Sequence, residues 1–447
     1  MQARRHLATR LFLLEWDAMG FNKLLIPLAS LMSGLSMLSV GTALMFAAIG
    51  VQAGSAKFSS LVTGLVMSAY FAGFVYGTYA CPGMIRRVGH IRAFAAMASI
   101  ASAIPMFHAL WTNAWAWGVL RFVTGVCLVG LYIVVESWLN VLATTAQRGK
   151  VFAVYMAVSG VSLALGQWLI LVGNRFGFVP FALVAILFSF ALIPITLTNV
   201  TEPETMDAPR FVLKDLIYIS PIGVVGTMAS GLLNGAFYSM GHLFGQGVGF
   251  SEGGIATFMA TTILAGAACQ WPIGQLSDRH DRRWVLFWVC VASAAVAGLG
   301  FYLAREYEGS IIALGIFYGG LSMSIYSLSV AHVNDLIDSS RVLEVTSGLL
   351  LMYGIGSTIG PTLAGGVMDL LGPEALMLYF SVVLVIIAAS VWAFASAKFI
   401  HPSQTSHKTD YVAMGGGSSS QAALQMDPRR PDFEHSRPAP PLVDPGH

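Results

Sequence analysis

Arg121 and Glu136 interrupt an otherwise apolar stretch, WAWGVLRFVTGVCLVGLYIVVESWLNVLATTAQRGK, running from Trp115 to Lys150. At about 100° per residue, a helix places Arg121, Gly125, Leu128, Tyr132 and Glu136 on one face. Its rise of about 1.5 Å per residue sets the two charges roughly 22 Å apart. They cannot pair, so each needs its own partner. A guanidinium at membrane depth costs at least about 2.5–3.5 kcal/mol, which directs it to a bundle interior or a wet cavity. The chemistry that suits such a face is passage of a solute or a proton.

Further polar groups lie inside apolar runs: Gln167, Asn234, Tyr238, Gln270, Tyr326 and Tyr353. They are candidate cavity liners. His242 and His332 fall near helix ends, where an interfacial place is expected. No Walker lysine loop, paired carboxylates, HExxH motif or nucleophile elbow occurs, so ATP-driven and hydrolytic chemistry lack their residues and no catalytic residue is assigned. Cys81, Cys127, Cys269 and Cys290 have no metal-ligand spacing and read as small buried hydrophobes, so no metal site is expected.

The elements that position these groups follow from composition. Charged residues make up only 10% of the chain against 56% hydrophobic, and the mean hydropathy is +0.72. Soluble domains carry roughly 25% charge, so this is an integral membrane protein. A net charge of +2 gives no support for nucleic-acid binding. Apolar runs of spanning length recur near 33–53, 59–80, 91–110, 115–137, 151–172, 178–199, 217–240, 254–275, 285–304, 310–331, 344–367 and 375–397. Between the sixth and seventh lies TEPETMDAPRFVLKD, Thr201 to Asp215, a linker between two six-helix halves. With the N-terminus cytoplasmic, only Lys57, Arg175 and Arg305 fall in outside loops. Arg86, Arg87, Arg92, Arg148, Lys150, Arg210, Lys214, Arg279, Arg282, Arg283, Arg341 and Lys398 fall inside. That bias fixes both termini as cytoplasmic.

The halves repeat. A shift of about 193 residues brings Phe58-Ser59 onto Phe250-Ser251 and Arg86-Arg87 onto Asp278-Arg279. The same shift brings Arg148 onto Arg341, and Gly160 and Gly166 onto Gly354 and Gly360. Arg121 and Glu136 fall on Leu314 and Ser329, so neither charge is repeated. A scaffold group is expected in both halves; an asymmetric one points to a substrate or proton task. Arg4, Arg5 and Arg10 precede LFLLEWDAMGF, whose Glu15 and Asp17 break a signal-peptide core. An interfacial helix or a true start at Met32 or Met37 accounts for this segment. From about Lys398 the Gly-, Ser- and Pro-rich composition predicts a disordered cytoplasmic tail.

After the eighth run comes GQLSDRHDRR, Gly274 to Arg283. It resembles the cytoplasmic signature of the major facilitator superfamily: Gly, Asp four residues on, Arg, then a basic pair. A carboxylate there can meet a helix N-terminus and nearby arginines, latching that side shut, and Gly274 permits close helix contact. Asp281 stands where the family usually has a second glycine. In the first-half counterpart, Pro82 to Arg92, Arg86 replaces the carboxylate and only Arg87 and Gly89 fit. RFVTG (Arg121 to Gly125), VVES (Val134 to Ser137), QWPIG (Gln270 to Gly274) and GSTIGP (Gly356 to Pro361) resemble the YcaD-like branch over nearly all of 33–397. In the superfamily, an arginine in the fourth helix with glycine four residues later is associated with proton coupling. Glu136 followed by Arg148-Gly149 resembles its cytoplasmic charge network. The antiporter Gly-Pro is expected in helix five. Here helix five has Gly166-Gln167, and Gly360-Pro361 lies in helix eleven.

These readings define the expectations. The fold class is all-α integral membrane, with the superfamily's twelve transmembrane helices in two pseudo-symmetric six-helix halves. The domains are an N-terminal cytoplasmic or interfacial segment (1–32), the two halves (33–200 and 216–397), the linker (201–215) and the tail (398–447). Function is expected to be secondary active transport of a small amphipathic or anionic solute by alternating access, driven by a proton gradient with no cofactor. Arg121, Gln167, Asn234, Tyr238, Gln270 and Tyr353 are the substrate or proton candidates. Glu136, Arg148, Gly274, Asp278, Arg279, Arg282 and Arg341 form the cytoplasmic gate. A transport-inactive membrane sensor or scaffold is the alternative, and a lipid-modifying acyltransferase lacks its catalytic constellation. The expected setting is a monomer in a plasma membrane, the inner membrane of a bacterium, whose partners are lipid and a small molecule.

Overall fold

Two serines start corresponding helices in the same way. The Ser59 side chain accepts from the Val62 N–H and that of Ser251 from the Gly254 N–H, at φ −64°, ψ 157° and φ −62°, ψ 157°. Each side chain satisfies one orphan donor of a first turn, a contribution of about 1 kcal/mol. These helices belong to a computed structural model that describes residues 2–143, 147–174, 176–197, 213–304, 306, 308–396, 408–415, 420 and 422–429. Side chains are described from Ile26 on, apart from 213, 214 and 339.

The first half consists of α1 (Gln2–Ser55), α2 (Ser60–Val88), α3 (His90–Leu110), α4 (Ala114–Leu142), α5 (Arg148–Trp168) and α6 (Val179–Phe190), the last continued by α7 (Leu192–Thr196). A short α8 (Leu213–Ile219) precedes the second half. That half consists of α9 (Pro221–Gly247), α10 (Glu252–Arg279), α11 (Arg282–Leu303), α12 (Glu308–Ser322) with α13 (Ile325–Asn334), α14 (Val342–Leu371) and α15 (Ala375–Ser396). Among the described residues, eleven spans are long and apolar enough to cross a membrane. The twelfth, α9, matches them in length at 27 residues but is diluted by Gly, Ser and Asn. No strand occurs among the described residues.

Glycines set how closely these helices pack, and they do so twice. A Cβ on Gly166 would stand 2.5 Å from the Val40 carbonyl oxygen, and one on Gly360 2.4 Å from that of Leu232. Gly125 faces the Tyr70 carbonyl at 2.0 Å as Gly319 faces that of Thr262 at 2.2 Å. Each pair recurs at the same offset of about 193 residues, so the pseudo-symmetry extends to backbone contact.

The halves meet at the end of the bundle opposite the arginine-rich loops. There a Cβ on Gly64 would lie 2.3 Å from the Pro361 carbonyl oxygen, and one on Gly365 2.3 Å from that of Ser60. Ser68 and Thr362 share a hydrogen bond of 2.8 Å. The Asp369 carboxylate accepts from the Ser60 and Leu61 N–H groups at 2.6 and 3.0 Å. Farther along that seal, Gly50 packs on His242.

Several expectations change. The first helix runs back to Gln2, beyond the boundary at 33. The tenth span is broken between α12 and α13, where the Ser324 hydroxyl turns onto the Leu321 carbonyl at 2.6 Å. His242 is fully buried rather than interfacial, because the glycines of α1 let α9 approach it. The largest departure is the tail. Residues 408–415, 420 and 422–429 pack against the bundle, with Met414, Ala423, Leu424 and Met426 buried. A low-complexity average hides those few apolar anchors and the acceptors that receive their backbone. The rest of the expected tail, and the linker over 201–212, lie outside the described residues.

Candidate functional site

Between the halves lies a cavity of about 750 Å3. α1 contributes Thr42 and Phe46, α2 contributes Tyr70 and Phe71, and α5 contributes Gln167. From the second half come Asn234 and Tyr238 of α9, Gln270 of α10, Tyr326 of α13 and Tyr353 of α14. Gln167 and Tyr326 are buried, and the Gln167 Oε1 and Tyr326 hydroxyl have no hydrogen-bond partner. Such orphans are costly unless a ligand or water completes them. The Asn234 amide donates weakly to Ser230 at 3.4 Å, and the Tyr326 and Tyr353 rings meet edge to face at 5.2 Å. The described lining contains no Asp, Glu, Lys, Arg or His. It is an aromatic wall with a few neutral hydrogen-bonding groups.

Gln167, Asn234, Tyr238, Gln270 and Tyr353 thus share one chamber, together with Tyr326. Arg121 does not line it. Its guanidinium is fully buried behind the wall, 4.3 Å from the Phe46 ring centroid and 4.5 Å from that of Tyr70. Nε and Nη2 have no hydrogen-bond partner. Helical periodicity gives the face of α4 that carries Arg121 but not which rings stand between that face and the cavity. Phe46 and Tyr70 are the residues sequence reasoning missed. Their alignment with Arg121 depends on α1 and α2 packing, and no local pattern encodes it.

Toward the arginine-rich end, the cavity is walled by the C-terminal segment, through Tyr411 to Gly415 and Pro428. Here the expected gate residues find partners. Arg282, at the start of α11, pairs with Asp278 at 2.9 Å and Asp335 at 2.7 Å, and also donates to Ser277 and to the Thr409 carbonyl. Asp278 accepts from the Tyr411 N–H at 3.2 Å, and the Tyr411 ring packs on Gly274. Burial pushes the Tyr411 hydroxyl above its usual range, so it stays protonated. On the other half, the buried Glu136 accepts from the Tyr155 hydroxyl at 2.5 Å, the Ser420 N–H at 3.0 Å, the Ala423 N–H at 3.1 Å and the Ser420 hydroxyl.

Arg148 is not among the described partners of Glu136, and its buried Nε has no hydrogen-bond partner. The charge that an Arg148 pair would neutralise is met by the tail's amides. Arg279 is exposed at the end of α10, and Arg341 lies 3.6 Å from Glu344. Asp281 caps α11 by accepting from the Arg283 N–H at 3.0 Å, a side-chain contact that glycine lacks. Its side-chain hydrogen bonds with Arg283 hold the carboxyl below its usual range.

Residues 219–424 match the Major Facilitator Superfamily profile. An uncharacterized MFS-type transporter of Enterobacter sp. (strain 638) is 28% identical over 352 residues, covering 77% of this chain and 89% of its own. The uncharacterized MFS-type transporter YcaD of Escherichia fergusonii is 27% identical, with the same coverages. Among solved structures, the nucleoside transporter NupG superposes with a TM-score of 0.68 at 11% identity, over 84% of this chain and 99% of its own. A bacterial homologue of the human lysosomal transporter Spinster, inward-facing and occupied, gives 0.69 at 15% identity, over 84% and 98%. Such identities carry the fold alone. Profile, relatives and helical architecture agree: this multi-pass membrane protein is similar to transporters of the major facilitator superfamily, the YcaD proteins among them.

Proposed function

We propose that the protein is a secondary active transporter moving a small solute by alternating access, with a proton gradient as the driving force. The observation that carries this reading is the cavity between the halves, sealed at one end by α1 against α9 and α2 against α14. Transporters of this architecture bind between their repeats. An uncharged aromatic lining with amide and phenol groups favours an amphipathic solute over a strongly anionic one, since an anion buried there lacks a facing cation. Arg121 acts through Phe46 and Tyr70, fixing the ring faces that the solute meets. With the arginine-rich loops cytoplasmic, the sealed end faces outward and both termini lie inside a plasma membrane. A monomer holds the whole cavity within one chain.

The test is a thermal-shift screen of the purified protein against metabolites and drugs, repeated with Arg121→Ala and followed by flux of each hit into liposomes. A ligand at about 100 times its dissociation constant adds roughly 2.7 kcal/mol. A hit that weakens in Arg121→Ala and moves with a pH gradient supports the reading. Binding without flux by the protein alone favours the sensor.

A further inference from the structure

Two described parts of the C-terminal segment lie on opposite halves and line the space between them. Its first described part lies on the second half. Lys408 donates to the His280 carbonyl at 2.7 Å, and the Thr409 N–H and hydroxyl donate to Asp335 at 2.9 and 2.8 Å. Met414 exchanges backbone hydrogen bonds with the Ser327 hydroxyl at 3.0 and 2.9 Å. Its later part lies on the first half. Ser420 and Ala423 hold Glu136, Asn140 donates to the Ala422 carbonyl at 2.7 Å, and Pro428 approaches Gly149. Asp427 and Arg429 form a buried pair at 2.5 Å beside Met414.

Two features make this a built site rather than a loose drape. First, the acceptors are buried or half-buried charges of the helical bundle itself: Glu136, Asp278 and Asp335. Second, the donors are chiefly main-chain amides, the groups a peptide ligand presents wherever it binds. The carboxylates serving the tail lie on both halves, Glu136 on the first and Asp278 and Asp335 on the second.

We infer that this cleft is a peptide-binding site whose ligand is the chain's own C-terminal segment, held through residues 408–415, 420 and 422–429, and that the bound segment keeps the arginine-rich end from closing. This rests on the alternating-access reading above. A segment wedged between the halves excludes their direct approach, and its amides take up Glu136 on one half and share Asp278 and Asp335 with Arg282 on the other. Release is then a requirement for the bundle to open at its opposite end.

The test uses the full chain in native membranes. Ser327→Cys with Met414→Cys places two thiols where the tail meets α13, and copper–phenanthroline is the oxidant. An intramolecular disulfide in most of the population is expected, and its failure to form overturns the binding site. A second experiment places Ser68→Cys in the α2–α14 seal and labels it with an impermeant maleimide from the opposite face. Replacing the tail anchors (Tyr411→Ala, Ser420→Ala, Leu424→Ala) leaves the helices untouched. It is expected to speed labelling at least about tenfold, the effect of weakening the bound state by about 1.4 kcal/mol. Measurable labelling at an equal rate with and without the anchors overturns the gating role while leaving alternation intact. A disulfide that forms while Ser68→Cys stays unlabelled in every variant overturns alternation and leaves the peptide site standing.

Discussion

Asp369 and Ser60 join the two halves of the protein: the carboxylate at the end of α14 accepts the first free N–H of α2 at 2.6 Å. The contact satisfies an orphan donor and places a negative charge at a helix N-terminus. With the Ser68–Thr362 hydrogen bond it makes the polar part of the seal. Asp369→Ala is expected to cost roughly 0.5–2 kcal/mol of that closed arrangement. Labelling of Ser68→Cys from the same face should accelerate by a comparable factor. Unchanged labelling would show that the seal holds without Asp369.

Arg121 presents a different balance. A buried guanidinium with two unpartnered nitrogens loses its hydration, and the faces of Phe46 and Tyr70 return only part of it. Arg121→Met should therefore leave the thermal midpoint unchanged or raise it, while weakening ligand-induced stabilisation. A drop in midpoint without ligand would assign Arg121 to the scaffold instead.

The glycines separate into two classes that substitution should resolve. A Cβ on Gly356 would lie 2.0 Å from the Met228 carbonyl oxygen, whereas at Gly83 and Gly118 nothing comes within 4 Å. Gly356→Ala must push α9 and α14 apart and should abolish folded yield or activity. Gly118→Ala should gain up to about 1 kcal/mol from helix propensity. Fluorescence-detected chromatography with heating reads both.

Asp278 pairs with Arg282 and receives the tail at Tyr411. Asp278→Asn keeps the shape and removes the charge. Flux should fall severalfold with the thermal midpoint within a few degrees of the parent, and unchanged flux would remove Asp278 from the gate. Tyr155→Phe should weaken the tail's anchorage, because the hydroxyl shares Glu136 with Ser420. A charge-assisted hydrogen bond of this kind contributes about 1.5–3 kcal/mol.

The fold is legible in the sequence because its determinants are local and repeated. Spanning runs, the caps at Ser59 and Ser251, and the glycines at 166 and 360 each announce themselves within a turn or two of helix. The polar liners are legible as residue types too expensive to leave in lipid. What the sequence does not display is depth. Arg121 reads as a cavity residue until the rings of two other helices are placed before it. Glu136 reads as a partner for Arg148 because charge is visible in a sequence, whereas the amides of Ser420 and Ala423 are carried by every residue. The tail is the extreme case, since its contacts are main-chain contacts and its anchors are sparse.

Because the segment that fills the cleft is covalently part of the chain, it cannot be diluted away. A tethered ligand faces its site at an effective concentration set by the tether, whatever the amount of protein in the membrane. Expression level therefore has no purchase on occupancy. Control must act on the segment itself, by cutting it, charging it or giving it another surface to bind, and each copy answers independently of its neighbours.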